Sequence, residues 1–120
     1  MKVKSFRELL VWQKAMQCAK LTYELVRSLP KEEQFGLSDQ MRRAAVSIPS
    51  NIAEGATRNS RKEFGRFIDI AQESRAELET QLELCVEIGY LRQEETEECN
   101  TLLTEIACML YGLKKALVSG

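Results

Sequence analysis

The chain has 120 residues, of which 44% are hydrophobic and 29% charged, enough for one domain (residues 1–120) with a modest core. Its formal net charge of −1 and sequence pI near 5.6 exclude a uniformly basic nucleic-acid binder. No apolar run approaches the roughly 20 residues of a membrane span, and the absence of histidine removes the usual general base.

The near-neutral total conceals a division. Residues 1–66 hold 13 basic and 7 acidic side chains, whereas residues 67–120 hold 4 basic and 11 acidic. The N-terminal stretch MKVKSFRELLVWQK lacks the uninterrupted apolar region of a signal peptide, which predicts a cytoplasmic protein. Cys18, Cys85, Cys99 and Cys108 show no two-to-four-residue pairing, so no metal clamp is expected. All four are predicted to be free, buried thiols that act as small hydrophobes.

The first helix is predicted from about Ser5 to Leu29. Leu9, Trp12, Met16, Ala19, Tyr23 and Val26 follow helical spacing and form its expected core seam. Ser5 and Glu8 make a capping box, and Leu29-Pro30 ends the helix. Lys31–Gly36 is a short connection with room for one helical turn. The second helix starts near Leu37 or Ser38 and carries Leu37, Met41, Ala44, Ala45, Ile48 and Ile52 on one face. Pro49 interrupts that stripe. It removes one backbone donor and crowds the Ala45 carbonyl, so it predicts a kink or a helix end. Ser47 and Ser50 are placed to satisfy loosened backbone groups, and Gly55 is expected to be the C-cap.

Ala56–Asn59 reads as a tight loop. The run Ser60-Arg61-Lys62-Glu63 is a second capping box, so a third helix should begin at Arg61. Its seam is Phe64, Phe67, Ile68, Ala71, Leu78, Leu82, Cys85 and Ile88, and Gly89 stops it after about 43 Å. The fourth helix follows Leu91 and Arg92. Leu102, Leu103, Ile106, Met109, Leu110, Leu113 and Leu117 supply its core face, with Lys114 and Lys115 near its negative end. No strand or hairpin signal occurs. Four amphipathic helices with short connections predict an all-α, antiparallel up-down-up-down four-helix bundle.

The segment 40–55, QMRRAAVSIPSNIAEG, followed by Ser60, Glu63, Phe64 and Arg66-Phe67, resembles the signature of the bacterial four-helix bundle protein family. That family includes small proteins encoded in intervening sequences of large-subunit ribosomal RNA genes. It also includes the accessory variability determinant of diversity-generating retroelements. The likeness extends to Phe6, Leu9, Val11-Trp12-Gln13 and Ala15, to Leu29-Pro30, Glu33, Gly36-Leu37 and Gln40, and to Ala76-Glu77-Leu78-Glu79 and Gly89-Tyr90-Leu91. Glu73-Ser74 stands where the family often has Gly-Ser. The resemblance implies a ring-like homo-pentamer. Within the family the retroelement accessory protein associates with a reverse transcriptase and nucleic acid and is notably basic. This chain lacks that charge and looks more like the intervening-sequence branch, with RNA, single-stranded DNA or a nucleoprotein such as a reverse transcriptase as candidate partners.

Two surfaces are candidates. Arg58, Arg61, Lys62 and Arg66 surround the turn into the third helix, with Arg42 and Arg43 expected to approach from the second. Arginine forks suit phosphate, and a solvated basic end is the alternative. Arg43, Ser47, Ser50, Asn51 and Glu54 form a polar row on the second helix, either a solvated face or a subunit interface. Paired carboxylates, Glu73 with Glu77 and Glu83 with Glu87, read as a solvated face, and Arg75–Glu79 as a surface pair. Without histidine neither a Cys–His nor a Ser–His relay can be built, and no phosphate loop is present. The expected function is therefore a non-enzymatic oligomeric scaffold without cofactor, engaging RNA or a nucleoprotein, or alternatively a protein-interaction module alone.

Overall fold

The computed structural model describes residues 5–119. It contains four helices: α1 (Leu10–Val26), α2 (Leu37–Ala56), α3 (Arg61–Glu87) and α4 (Gln93–Ser119). Single 3-10 turns lie at Phe6–Glu8 and Lys31–Glu33, and no strand occurs among the described residues. The helices pack as a bundle 46 Å long.

Ser5 does act as a cap, but of the 3-10 turn, where its side chain accepts from the Arg7 N–H at 3.2 Å. Leu9 is extended (φ −75°, ψ 122°), so α1 begins only at Leu10. The buried seam of α1 also differs from the expected one. Val11, Ala15, Cys18, Thr22 and Val26 face the core, whereas Met16 and Tyr23 are half-exposed. Two apolar rows lie side by side on this helix. The bundle takes the row with the smaller side chains, which lets neighbouring helices approach, and leaves the bulkier row on the flank.

Pro49 neither ends α2 nor opens a loop; the helix runs through it to Ala56. Of the two flanking serines, Ser47 turns to another helix and shares a hydrogen bond with Ser74 of α3 at 2.7 Å, while Ser50 is exposed. Asn51 reinforces the local backbone instead, donating to the Ser47 carbonyl at 2.8 Å. Gly55 is not the C-cap. It lies inside the helix, and Thr57 follows as the cap, with its hydroxyl on the Glu54 carbonyl at 2.8 Å. The apolar face of α2 is as expected: Met41, Ala45, Ile48 and Ile52 are fully buried. Each isoleucine so buried contributes about 1.5–3 kcal/mol.

α3 opens on Ser60, whose hydroxyl accepts the Glu63 N–H at 3.1 Å. It closes at Gly89, whose φ of +85° is a left-handed conformation that favours glycine. There the Tyr90 N–H reaches the Cys85 carbonyl at 2.8 Å and the Gly89 N–H the Val86 carbonyl at 3.1 Å, the paired bonds of a Schellman cap. This turn buries Leu91 and leaves Ile88 half-exposed rather than in the seam. Tyr90 then reaches back, its hydroxyl donating to Glu33 at 2.9 Å. The other carboxylate oxygen of Glu33 accepts the first N–H of α2, from Leu37, at 3.1 Å. One carboxylate thus fastens two connections together.

Helix contacts pair in descending order. Along α3, Arg61 meets Ala116 and Leu117, Asp69 meets Lys114 and Gln72 meets Ala107. Along α1, Lys14 meets Glu105 and Cys18 meets Cys99. Between α2 and α3, Met41 meets Cys85 and Ser47 meets Ser74. Cys18, Cys85 and Cys99 are buried as expected, but Cys108 is exposed on the outer side of α4.

Candidate nucleic-acid interface

The turn from α2 to α3 is tight because α2 and α3 approach closely at Gly55. The turn brings two arginines to one aromatic ring. The Arg58 and Arg66 guanidinium carbons lie 4.8 Å and 4.7 Å from the centroid of Phe67, which is itself buried. Each exposed cation–π contact of this kind is worth about 0.5–1 kcal/mol and fixes a long side chain in place. Arg58 also pairs with Glu54 at 3.7 Å and Arg66 with Glu63 at 3.2 Å. Lys62 is exposed and has no ion-pair partner among the described residues.

Arg61 has a different role. It donates to the Ala116 carbonyl at 2.8 Å and the Leu117 carbonyl at 3.1 Å, closing the C-terminal end of α4. Such carbonyls lack intrahelical partners and carry the negative end of the helix dipole. Beside it, Lys114 meets both carboxylate oxygens of Asp69 at 2.6 Å and 2.7 Å. Together Arg61, Lys62, Gly65, Arg66, Asp69, Lys114 and Leu117 line most of a groove of about 550 Å³ between the start of α3 and the end of α4. The lysine stem packs against Gly65: a Cβ there would stand 3.3 Å from its Cε. Lys114 belongs to this basic surface although its place in the sequence suggested only a dipole partner.

Arg42 and Arg43 do not join the cluster. They lie on α2, 13 or 14 residues before its end at Ala56 and so roughly 20 Å along its axis from the turn that carries Arg58. At that end Arg42 reaches the Gln34 carbonyl at 3.4 Å and Arg43 pairs with Asp39 at 3.1 Å. The polar row on α2 also divides. Ser47 and Asn51 are half-buried in the contact with α3, bonded to Ser74 and to each other, while Arg43, Ser50 and Glu54 are exposed.

Charge also differs between the two ends of the bundle. Arg58, Arg61, Lys62, Arg66, Lys114 and Lys115 gather where α3 starts and α4 ends, interleaved with Glu54, Glu63 and Asp69. Glu83, Glu87, Glu94, Glu95, Glu97 and Glu98 gather where α3 ends and α4 starts, an end that also carries Arg42, Arg43 and Arg92. Glu73, Glu77, Glu83 and Glu87 are all exposed, as expected of a solvated face, and Arg75 pairs with Glu79 at 2.7 Å. Among the described residues no group of three or more histidine, cysteine or acidic side chains is arranged to hold a metal ion. No described helix is long and apolar enough to cross a membrane.

A solved crystal structure of similar shape is that of a protein with unknown function from the S23 ribosomal protein family of Bacteroides thetaiotaomicron VPI-5482. It superposes with a TM-score of 0.79 at 29% identity, covering 88% of this chain and 99% of that one. No curated protein sequence matches this chain. Residues 7–112 match the family described as 23S rRNA-intervening sequence protein, a span that includes every α-helix start, the proline-containing α2 and the basic turn. The chain belongs to the 23S rRNA-intervening sequence protein family.

Proposed function

We propose that this protein is a non-catalytic, self-associating scaffold of the cytoplasm whose basic turn binds the phosphate backbone of RNA. The observation that carries the reading is the gathering of Arg58 and Arg66 on Phe67, beside unpaired Lys62 and the groove of about 550 Å³. Guanidinium groups held in place lose little side-chain freedom on meeting a phosphate and bind it through a planar fork. The descending residue pairs support an antiparallel, up-down-up-down order, which sets this basic end opposite an acidic one. A pentameric ring is the assembly that the family resemblance implies. Five copies would repeat the patch and turn weak contacts into useful avidity.

A titration of single-stranded RNA against the full chain tests the RNA reading. Affinity should fall steeply with salt as counterions are released, and Arg58→Glu with Lys62→Glu and Arg66→Glu should abolish binding. Absence of binding at low salt would rule the RNA reading out.

A second reading is a protein-interaction module without a nucleic-acid role, and the acidic partners Glu54 and Glu63 on Arg58 and Arg66 favour it. Under that reading the partner is another copy or a protein such as a reverse transcriptase. Co-purification with protein but no nucleic acid, insensitive to nuclease, would select it.

A further inference from the structure

Cys18 of α1 and Cys99 of α4 place their sulfurs 3.6 Å apart in the core, and RNA binding makes no use of them. Thr22, one turn beyond Cys18, donates to the Cys18 carbonyl at 2.9 Å and stands 3.7 Å from the Cys99 sulfur. Both are buried, Cys18 at 0% and Cys99 at 1% exposure, but Cys99 alone also lines a surface cleft of about 290 Å³. That cleft also carries the half-buried Leu21 and Leu25 and three exposed carboxylates, Glu24, Glu95 and Glu98.

We propose that Cys18 and Cys99 are a redox-active dithiol, in which a small uncharged hydroperoxide oxidises Cys99 from the cleft and Cys18 then closes a disulfide between α1 and α4.

The pair is chemically asymmetric. The contact with Cys18 first, and the nearby Thr22 hydroxyl second, hold the Cys99 thiol below its usual pKa of 9.0. The same contact with Cys99, together with burial, pushes Cys18 up. Cys99, the residue that lines the cleft, therefore loses its proton more readily than Cys18, and its thiolate is the nucleophile. It attacks one peroxide oxygen and the O–O bond breaks. Cys99 becomes a sulfenic acid, and the released hydroxide takes a proton to leave as water. Cys18 then loses its proton, its sulfur attacks the Cys99 sulfur, and the S–O bond breaks to release a second water. Two electrons pass from the sulfur pair to the peroxide, and a dithiol reductant reverses the change. Closure must shorten the sulfur separation to about 2.05 Å, a modest shift between two packed helices. The three carboxylates select the oxidant: they repel an anionic disulfide such as oxidised glutathione and admit neutral hydrogen peroxide or a cationic disulfide.

The test uses the full chain carrying Cys108→Ser, which removes the exposed thiol. After hydrogen peroxide treatment, peptide mass mapping should find Cys18 joined to Cys99, and dithiothreitol should restore both. Cystamine should oxidise the pair about tenfold or more faster than oxidised glutathione. Adding Cys18→Ser should leave a Cys99 sulfenic acid that dimedone traps. The buried Cys85, which borders neither this cleft nor another cysteine, is the internal control. If Cys99 reacts no faster than Cys85 in the folded protein, the proposal fails, and this comparison needs no variant of the pair itself. Equal rates with cystamine and oxidised glutathione would overturn the charge selection assigned to the three carboxylates.

Discussion

Gly55 and Phe67 meet so closely that a Cβ built on the glycine would stand 2.8 Å from the Cβ of the phenylalanine. It would also lie 2.9 Å from Cδ1 of Phe64. The Phe67 atom is anchored to its own backbone and cannot swing aside. The close approach of α2 and α3 therefore depends on the absence of a side chain at residue 55. In turn it positions Phe67 beneath Arg58 and Arg66.

Gly55→Ala sets two effects against each other. Helix propensity favours alanine by about 1 kcal/mol. Overpacking a tight contact costs about 1–3 kcal/mol, and here the clashing atom is fixed, so overpacking prevails. A net loss of about 1–2 kcal/mol should appear in urea unfolding. A variant as stable as the parent would show that the helices do not need the glycine.

Arg61 and its neighbours should separate stability from binding. Arg61→Ala removes charge-assisted donors from the Ala116 and Leu117 carbonyls and should cost about 1 kcal/mol of stability. Arg58→Gln with Arg66→Gln should cost about 1–2 kcal/mol through the two lost cation–π contacts but weaken RNA binding more strongly than Arg61→Ala does. Thermal melts and filter binding on the same samples measure both. The opposite ranking would assign the phosphate-contacting role to Arg61.

Stability should decline in alkali, and Cys85 supplies part of that decline. Burial pushes its thiol up to about 11, and the negative charge of Glu33 adds to the effect. The unfolded chain ionises this thiol near 9.0, before the folded one does. The folded state is thus favoured fully below pH 9, and that advantage is lost as pH rises towards 11. The slope approaches about 1.4 kcal/mol per pH unit. Tyr90 acts in the same direction, because its hydrogen bond to Glu33 and the charge beyond it raise its pKa. Cys85→Ala should flatten the profile of stability against pH between 9 and 11 relative to the parent. Parallel profiles would remove Cys85 from the account.

Pro49→Ala restores a donor for the Ala45 carbonyl and should leave helical content intact by circular dichroism. It should also weaken self-association, because Val46 and Ser50 sit on the exposed flank whose course the proline sets. Gel filtration with light scattering reads the mass directly. About five subunit masses are expected for the parent and fewer for the variant; a monomeric parent at micromolar concentration would dispose of the ring.

The sequence revealed the helices more reliably than the faces they bury. The spacing of Met41, Ala45, Ile48 and Ile52 identified the core face of α2 because its flanks are polar and no second stripe competes. On α1 two apolar rows lie side by side, and hydrophobicity alone favoured Met16 and Tyr23 over Ala15, Cys18 and Thr22. Size decides there, and size matters only once the neighbouring helices are in place. Gly55 resembled a helix stop because glycine so often is one; its use as a point of close contact depends on Phe64 and Phe67 arriving from another helix. At the candidate site, the arginines flanking Ser60 were visible as a local cluster. The separation of Arg42 and Arg43 from them, the diversion of Arg61 to the last turn of α4 and the participation of Lys114 all require the third dimension.

The division of charge along the 46 Å bundle changes what a near-zero total means. At physiological ionic strength a charge is felt over about 8 Å, a small fraction of that length. The positive and negative poles are consequently screened from one another, and an approaching molecule responds only to the pole it touches. Electrically the protein presents two unlike ends, one richer in cations and the other in carboxylates, rather than one uniformly neutral surface.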